Sequence, residues 1–232
     1  MLYYRNVLEK KGGHPMQVDL AEALRYLGAG QADEEFLKTV RRVASELEQA
    51  AQPKWRYRVA KVEHTERGEL AAGLCLTGNM AKTMLAECNQ AALLICTLGA
   101  PFETLLRRKQ ARSMAEAAIL DACGNAFVEV GCDEAEKEIA ARLPGMYLTD
   151  RFSPGYGDLP LSIQPEFCAA LDAQRQLGIT VTESLLMVPT KTVTAVIGVS
   201  DKPQMARIRG CDFCQRRENC TFRKGGRTCG VS

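Results

Sequence analysis

Arg151-Phe152-Ser153-Pro154-Gly155-Tyr156-Gly157-Asp158-Leu159-Pro160 holds two prolines, two glycines, an arginine, a tyrosine and an aspartate within ten residues. It lies between a long helical stretch and a shorter one, which predicts a structured loop and not a linker. Gly155 and Gly157 allow positive φ and let the backbone approach a ligand closely. Pro154 and Pro160 fix φ and stiffen the loop ends. Arg151 offers a planar fork for a carboxylate or phosphate, and Tyr156 a flat face with a polar tip. Such a loop suits a small zwitterionic or nucleoside-like ligand. The plain alternative for any Gly/Pro-rich segment is a surface turn.

Upstream of the loop, residues 102–142 are rich in Ala, Glu, Arg and Leu. They predict one long helix, or two broken near Gly124 or Gly131, with the charges mostly on a solvated face. Residues 91–98 are a continuous apolar run, fit for a central strand. Residues 78–89 read as a helix with Met80, Met84 and Leu85 as its apolar positions, and residues 74–76 as a short strand. Residues 55–62 alternate Trp55, Tyr57 and Val59 with Arg56, Arg58 and Ala60, the pattern of a half-buried strand. Before Pro53, residues 32–50 carry Phe36, Val40, Val43 and Leu47 at helical spacing. Asp19 is placed to cap a helix through Leu20, Ala23, Leu24 and Leu27, which Gly28 and Gly30 end.

Downstream of the loop, residues 165–177 predict a helix stopped by Gly178. Residues 179–188 and 192–199 predict a β-hairpin around Pro189-Thr190-Lys191. Helices and strands do not alternate strictly, so the expected fold is α+β, an antiparallel or mixed sheet flanked by helices.

Hydrophobic residues make up 46% of the 232, enough for a sizeable core in one domain or at most two small ones. The formal net charge of +2 points to neither nucleic acid nor a membrane, and no apolar run is long enough to span a bilayer. The first sixteen residues lack the apolar centre of a secretory signal and are read as a short leader. Ten cysteines without an export signal indicate the reducing cytoplasm. With only His14 and His64, a Ser-His-Asp triad or a multi-histidine metal site is hard to build. No P-loop occurs and no G-x-G-x-x-G follows a strand, which disfavours nucleotide hydrolysis and Rossmann hydride transfer.

The loop resembles the S-adenosylmethionine-binding signature, Arg-x-x-x-Gly-Tyr, of the reactivation domain of cobalamin-dependent methionine synthase. Its Pro-Gly-Tyr-Gly-Asp-Leu-Pro-Leu form is similar to that of small stand-alone relatives of that domain. Four further segments resemble the family in order: LAEALRYL (20–27) its opening helix, AALLICTLG (91–99) its buried strand, DACGNAFVE (121–129) the helix with acidic residues facing the ligand, and PTKTVTAVIG (189–198) its late hairpin. The resemblance spans roughly residues 17–200. An activation-like domain over 1–200, including the leader 1–16, is therefore expected, followed by a tail over 201–232.

The resemblance implies S-adenosylmethionine as the ligand. It assigns the ligand's carboxylate to Arg151, backbone bonds to Ser153 and Gly155, and the adenosyl portion to Tyr156. The sulfonium and ammonium are cationic, so carboxylates nearby are expected. Asp121 and Glu129 match the family's acidic positions and lie near two helical turns apart, able to face one side. After Tyr156 the chain departs from the synthase pattern of a small residue followed by Ala-Cys-Pro-Asp-His. Asp158, which has no counterpart there, is read as a ligand carboxylate or as the cap of a turn. The family has no acid–base catalytic residue. It positions S-adenosylmethionine over cobalamin held elsewhere, and a one-electron reduction with methyl transfer restores methylcobalamin.

The last segment is basic and carries Cys211, Cys214, Cys220 and Cys229. Four thiolates can hold zinc or an iron–sulfur cluster, although the spacing matches neither a two-knuckle zinc site nor a bacterial ferredoxin. The alternative is a reduced basic tail that guides docking onto an acidic partner, such as a flavodoxin-like electron donor or the synthase. Cys75, Cys88, Cys96, Cys123, Cys132 and Cys168 sit on apolar patterns and are expected in the core. Three readings follow. The first is a methionine synthase activation component acting in trans. The second is an iron–sulfur redox or methyltransfer protein for another corrinoid protein. The third is an S-adenosylmethionine-binding module without chemistry.

Overall fold

The computed structural model describes residues 3, 4, 15–29 and 32–204. Helix α1 (Leu20–Tyr26) begins where Asp19 accepts a 3.0 Å bond from the Glu22 N–H. Helix α2 (Glu34–Ala50) begins where Asp33 does the same for Phe36 at 2.8 Å. Both caps satisfy backbone donors that a helix start leaves open. α2 buries Val40, Val43, Ala44 and Leu47 as one stripe.

A long strand, β2 (Lys54–Thr65), exceeds the predicted 55–62 at both ends. It folds back on β3 (Gly68–Ala71), an unpredicted strand, which pairs with β4 (Leu74–Leu76). Then come α3 (Asn79–Leu85), β5 (Gln90–Thr97), α4 (Gly99–Gln110), α5 (Met114–Arg142) and the short β6 (Tyr147–Leu148). After the loop follow α6 (Gln164–Ala170), α7 (Ala173–Leu177), β7 (Thr180–Val181), β8 (Met187–Val188) and β9 (Thr192–Ser200). Near the N-terminus, β1 (Tyr3–Tyr4), within the stretch read as a leader, pairs with β2 at Val59 and Arg58.

The main sheet has the order β4-β3-β2-β5-β9-β6, with β1 beside β2, and every described pairing in it is antiparallel. The fold is α+β with helices on both faces. β5 is central and its side chains alternate between two cores. Ala92, Leu94 and Cys96 face α1, α2, α4 and α5, while Ala91, Leu93 and Ile95 face α3, α6, α7 and the loop residues Phe152 and Leu159. Burial on both faces is why its sequence is apolar without a break.

Four sequence expectations are corrected. The helical stretch 102–142 does break, but at residues 111–113, where Ser113 caps α5 by accepting from the Glu116 N–H at 3.2 Å. Gly124 and Gly131 lie inside α5 as points of close approach. A Cβ on Gly124 would sit 2.5 Å from Phe102, and one on Gly131 would overlap Pro53 and lie 2.7 Å from Cys96 Sγ. The stretch 165–177 is two helices, because Asp172 takes a left-handed φ of 52° between them. The expected hairpin of 179–188 with 192–199 does not form. β7 and β8 pair with each other, and β9 lies between β5 and β6 in the main sheet. Of the six cysteines expected in the core, Cys75 is only half-buried. The four cysteines 211, 214, 220 and 229 lie outside the described residues.

Candidate functional site

The loop is fastened to the sheet by one residue. Phe152 donates from its N–H to Val196 O at 3.0 Å and accepts from Val196 N–H at 2.7 Å, an isolated bridge beside β9. Phe152 packs into the core beneath α6 and α7. Strand-like alternation sends its neighbour Arg151 to the opposite face, where it meets α5. There Arg151 donates to Glu129 at 2.5 Å, Asp133 at 2.7 Å and Glu136 at 2.5 Å. Positions 129, 133 and 136 follow the helical repeat, so three carboxylates share one stripe. Burial works against the guanidinium charge, but the Cys132 sulfur and the carboxylates of Glu129, Glu136 and Asp133 outweigh it and hold the pKa above its ordinary value.

Without a ligand, the Arg151 fork is engaged by protein carboxylates. Its side chain is 13% exposed and already faces three protein carboxylates. A ligand carboxylate arriving there would share the guanidinium with these protein carboxylates. The loop backbone is likewise engaged within the loop. Gly155 N–H donates to Leu159 O at 2.8 Å and Tyr156 N–H to Ser153 O at 3.0 Å. Gly155 (φ 85°) and Gly157 (φ 59°) both use the left-handed conformations that glycine allows. Asp158 caps a helix rather than its own turn: its carboxylate accepts from Asn79 N–H at 2.6 Å and Met80 N–H at 2.8 Å, at the start of α3. These backbone bonds hold its pKa below the ordinary value. They also tie the loop to α3.

The same stripe of α5 continues toward the start of β9 and borders a cleft of about 230 Å³. Tyr26 of α1, Asn125, Val128 and Glu129 of α5, and residues 190–193 line it. Lys191 bonds Asn125 Oδ1 at 2.6 Å and pairs with Asp121 at 2.8 Å. Its ammonium stands 5.7 Å above the Phe102 ring. Thr190 is pinned by its N–H and hydroxyl to Glu103, at 2.6 and 2.7 Å. Tyr26 has a raised pKa, from burial first and then from the Glu129 charge, and Arg25 stacks 4.5 Å from its ring centre.

Of the expected site residues, Glu129 joins the two halves: it bonds Arg151 and also lines the cleft. Asp121 lies on the same stripe, two turns earlier, paired with Lys191. Arg151, Ser153, Gly155, Tyr156 and Asp158 belong to the loop, outside the cleft lining. Tyr26, Asn125, Asp133, Glu136 and Lys191 join the site without being expected from the sequence. Asn125, Asp133 and Glu136 were legible there, because they extend the spacing from Asp121 to Glu129 along one face. Chemically, the stripe gathers three carboxylates around one guanidinium. The Lys191–Asp121 pair beside it is balanced. Such a place attracts a cation at one end and can hold an anion at the other. Among the described residues no group of His, Cys, Asp and Glu is arranged to hold a metal ion, and no helix is long and apolar enough to cross a membrane.

Comparison with solved structures finds the same fold in the crystal structure of the MetH reactivation domain bound to AdoHcy. The TM-score is 0.52 at 12% identity, over 94% of this chain and 78% of that one. At that identity the likeness is one of fold. No protein-family model matches the chain, and no curated protein matches it.

Proposed function

We propose that this chain binds S-adenosylmethionine and serves as a reactivation partner, in trans, for cobalamin-dependent methionine synthase or another corrinoid protein. The observation that carries the reading is the acidic stripe of α5 beside the cleft, in a fold shared with a domain solved with AdoHcy. A sulfonium and an ammonium are drawn to the Glu129 carboxylate, which lines the cleft. The cleft is smaller than the ~300–1,000 Å³ usual for drug-sized ligands. It therefore suits the methionyl arm, with the nucleoside toward the open mouth and the Tyr26 ring.

In this reading the protein's own residues bind and orient. Glu129 neutralises the cationic arm, Arg151 keeps the three carboxylates from repelling one another, and Asp158 fixes the loop against α3. Cobalamin on the partner would supply the methyl acceptor after one-electron reduction by a flavodoxin-like donor, S-adenosylmethionine would supply the methyl group, and AdoHcy would be released. Nothing in these roles requires acid–base catalysis by the chain.

The test is a reactivation assay. A corrinoid protein in the cob(II)alamin state is mixed with a reductant and S-adenosylmethionine, and its absorbance is followed with and without this chain. Recovery of methylcobalamin that requires the chain supports the proposal. Equal rates in both mixtures, with a cognate corrinoid protein, overturn it.

A further inference from the structure

We infer that the junction of α6 and α7 is a binding site separate from the cleft, for a small phosphate-type oxyanion held by the Arg56 guanidinium. The inference is independent of the S-adenosylmethionine reading, because the junction lies on the opposite face of the sheet. Direction is the first ground. Trp55 and Tyr57, on either side of Arg56 in β2, both bond Glu138 of α5. Arg56 alternates with them and stands opposite Ile95 of β5. Residues opposite each other in an antiparallel pair share a face, so Arg56 points into the core beneath α6 and α7. α7 packs against β2 there.

Burial is the second ground. The polar face of a half-buried strand is expected in water, yet Arg56 is only 6% exposed. Its Nη1 is buried and makes no hydrogen bond. Among the described residues, Arg56 has no ion-pair partner. A guanidinium taken out of water is costly unless it is paired, and the group that pairs with it is an anion.

The neighbours select the kind of anion. Asp172, between α6 and α7, is within the field of Arg56. Hydrogen bonds from Arg175 and then Gln176 hold its carboxyl below the ordinary pKa, and the Arg56 charge adds to this. Its Oδ2 accepts from Arg175 Nε at 2.7 Å and Gln176 Nε2 at 3.2 Å. A protein carboxylate thus lies near Arg56 without pairing with it. A phosphate group brings a charge of about −1.5 to −2 at pH 7 and three acceptor oxygens, and a guanidinium fork matches two of them. Arg175, exposed and oriented by Asp172, can meet the anion from the solvent side.

The test is a calorimetric titration of inorganic phosphate into wild type, Arg56→Met, Arg56→Lys and Arg175→Gln, with chloride holding the ionic strength constant. Wild type should bind phosphate saturably and bind acetate far more weakly. Arg56→Met should weaken phosphate binding by roughly ten-fold or more, as for loss of a charge-assisted hydrogen bond. Arg56→Lys should fall between the two, since a point charge replaces the fork, and Arg175→Gln should cause a smaller loss. Glycerol phosphate in a parallel titration separates the sources: tighter binding marks a phosphate monoester as the ligand, weaker binding free phosphate. No saturable phosphate binding by wild type overturns the proposal, and so does acetate binding as tight as phosphate. Phosphate binding equal to wild type in Arg56→Met also overturns it. If Arg56→Met does not fold, equal binding by Arg56→Lys is the overturning result.

Discussion

Arg151 shows how a motif residue is set by its neighbours. Alternation at the Phe152 bridge turns it toward α5, and the helical repeat supplies Glu129, Asp133 and Glu136 around it. Arg151→Ala would leave those carboxylates facing one another without the cation. Because the guanidinium is largely buried and its partners are partly solvated, the expected loss is about 1–3 kcal/mol of unfolding free energy, the cost of stranding polar groups. Urea denaturation measures it, and an unchanged midpoint would show that the cluster is indifferent to its cation. Asp158→Ala removes the acceptor for the Asn79 and Met80 N–H groups, so the melting temperature should fall while affinity for S-adenosylmethionine stays near wild type. A large affinity loss without loss of stability would place Asp158 at the ligand instead.

At the scale of elements, α5 is the helix on which both the core and the site depend. It packs against α1, α2, α4 and the sheet, and Gly131 lets Pro53 and Cys96 come close. Gly131→Ala should therefore destabilise the protein by about 1–3 kcal/mol through overpacking, despite alanine's better helix propensity. A thermal melt at or above the wild-type temperature would contradict this. Much at this scale was legible in the sequence. Asp19 announced α1, the apolar spacing of Val40, Val43 and Leu47 announced α2, and the unbroken apolar run of β5 announced a central strand. The glycines of α5 misled, because Gly124 and Gly131 serve close packing, a property of neighbours distant in sequence. β9 misled for a similar reason. Its partner is β5, about a hundred residues earlier, while a local pattern around Pro189 suggests a hairpin. In the site, the acidic stripe was half legible through Asp121 and Glu129. Lys191 and Tyr26 were not, since only the fold carries the starts of β9 and the end of α1 to the same cleft.

Over the whole molecule, two cores share one sheet, and charge networks join the helices above it. Glu116 is held at a pKa of about 2 by hydrogen bonds from Lys109 and then Arg42, against an ordinary 4.5. Lys109 also pairs with Glu46 at 2.6 Å, which ties α2, α4 and α5 together. Because the folded pKa is the lower one, the stabilisation is complete above 4.5 and drains away as pH falls toward about 2. Denaturant midpoints taken from pH 5 to pH 2.5 should fall more steeply for wild type than for Glu116→Gln, and parallel curves would contradict this. Central to the proposed function is whether the cleft beside the acidic stripe takes a cationic nucleoside ligand. The most direct measurement is a calorimetric titration of S-adenosylmethionine and AdoHcy into the protein, at low and high salt. Saturable binding of both is predicted, tighter for the sulfonium and weakened by salt, with Glu129→Gln narrowing the difference. No saturable heat with either compound would contradict it.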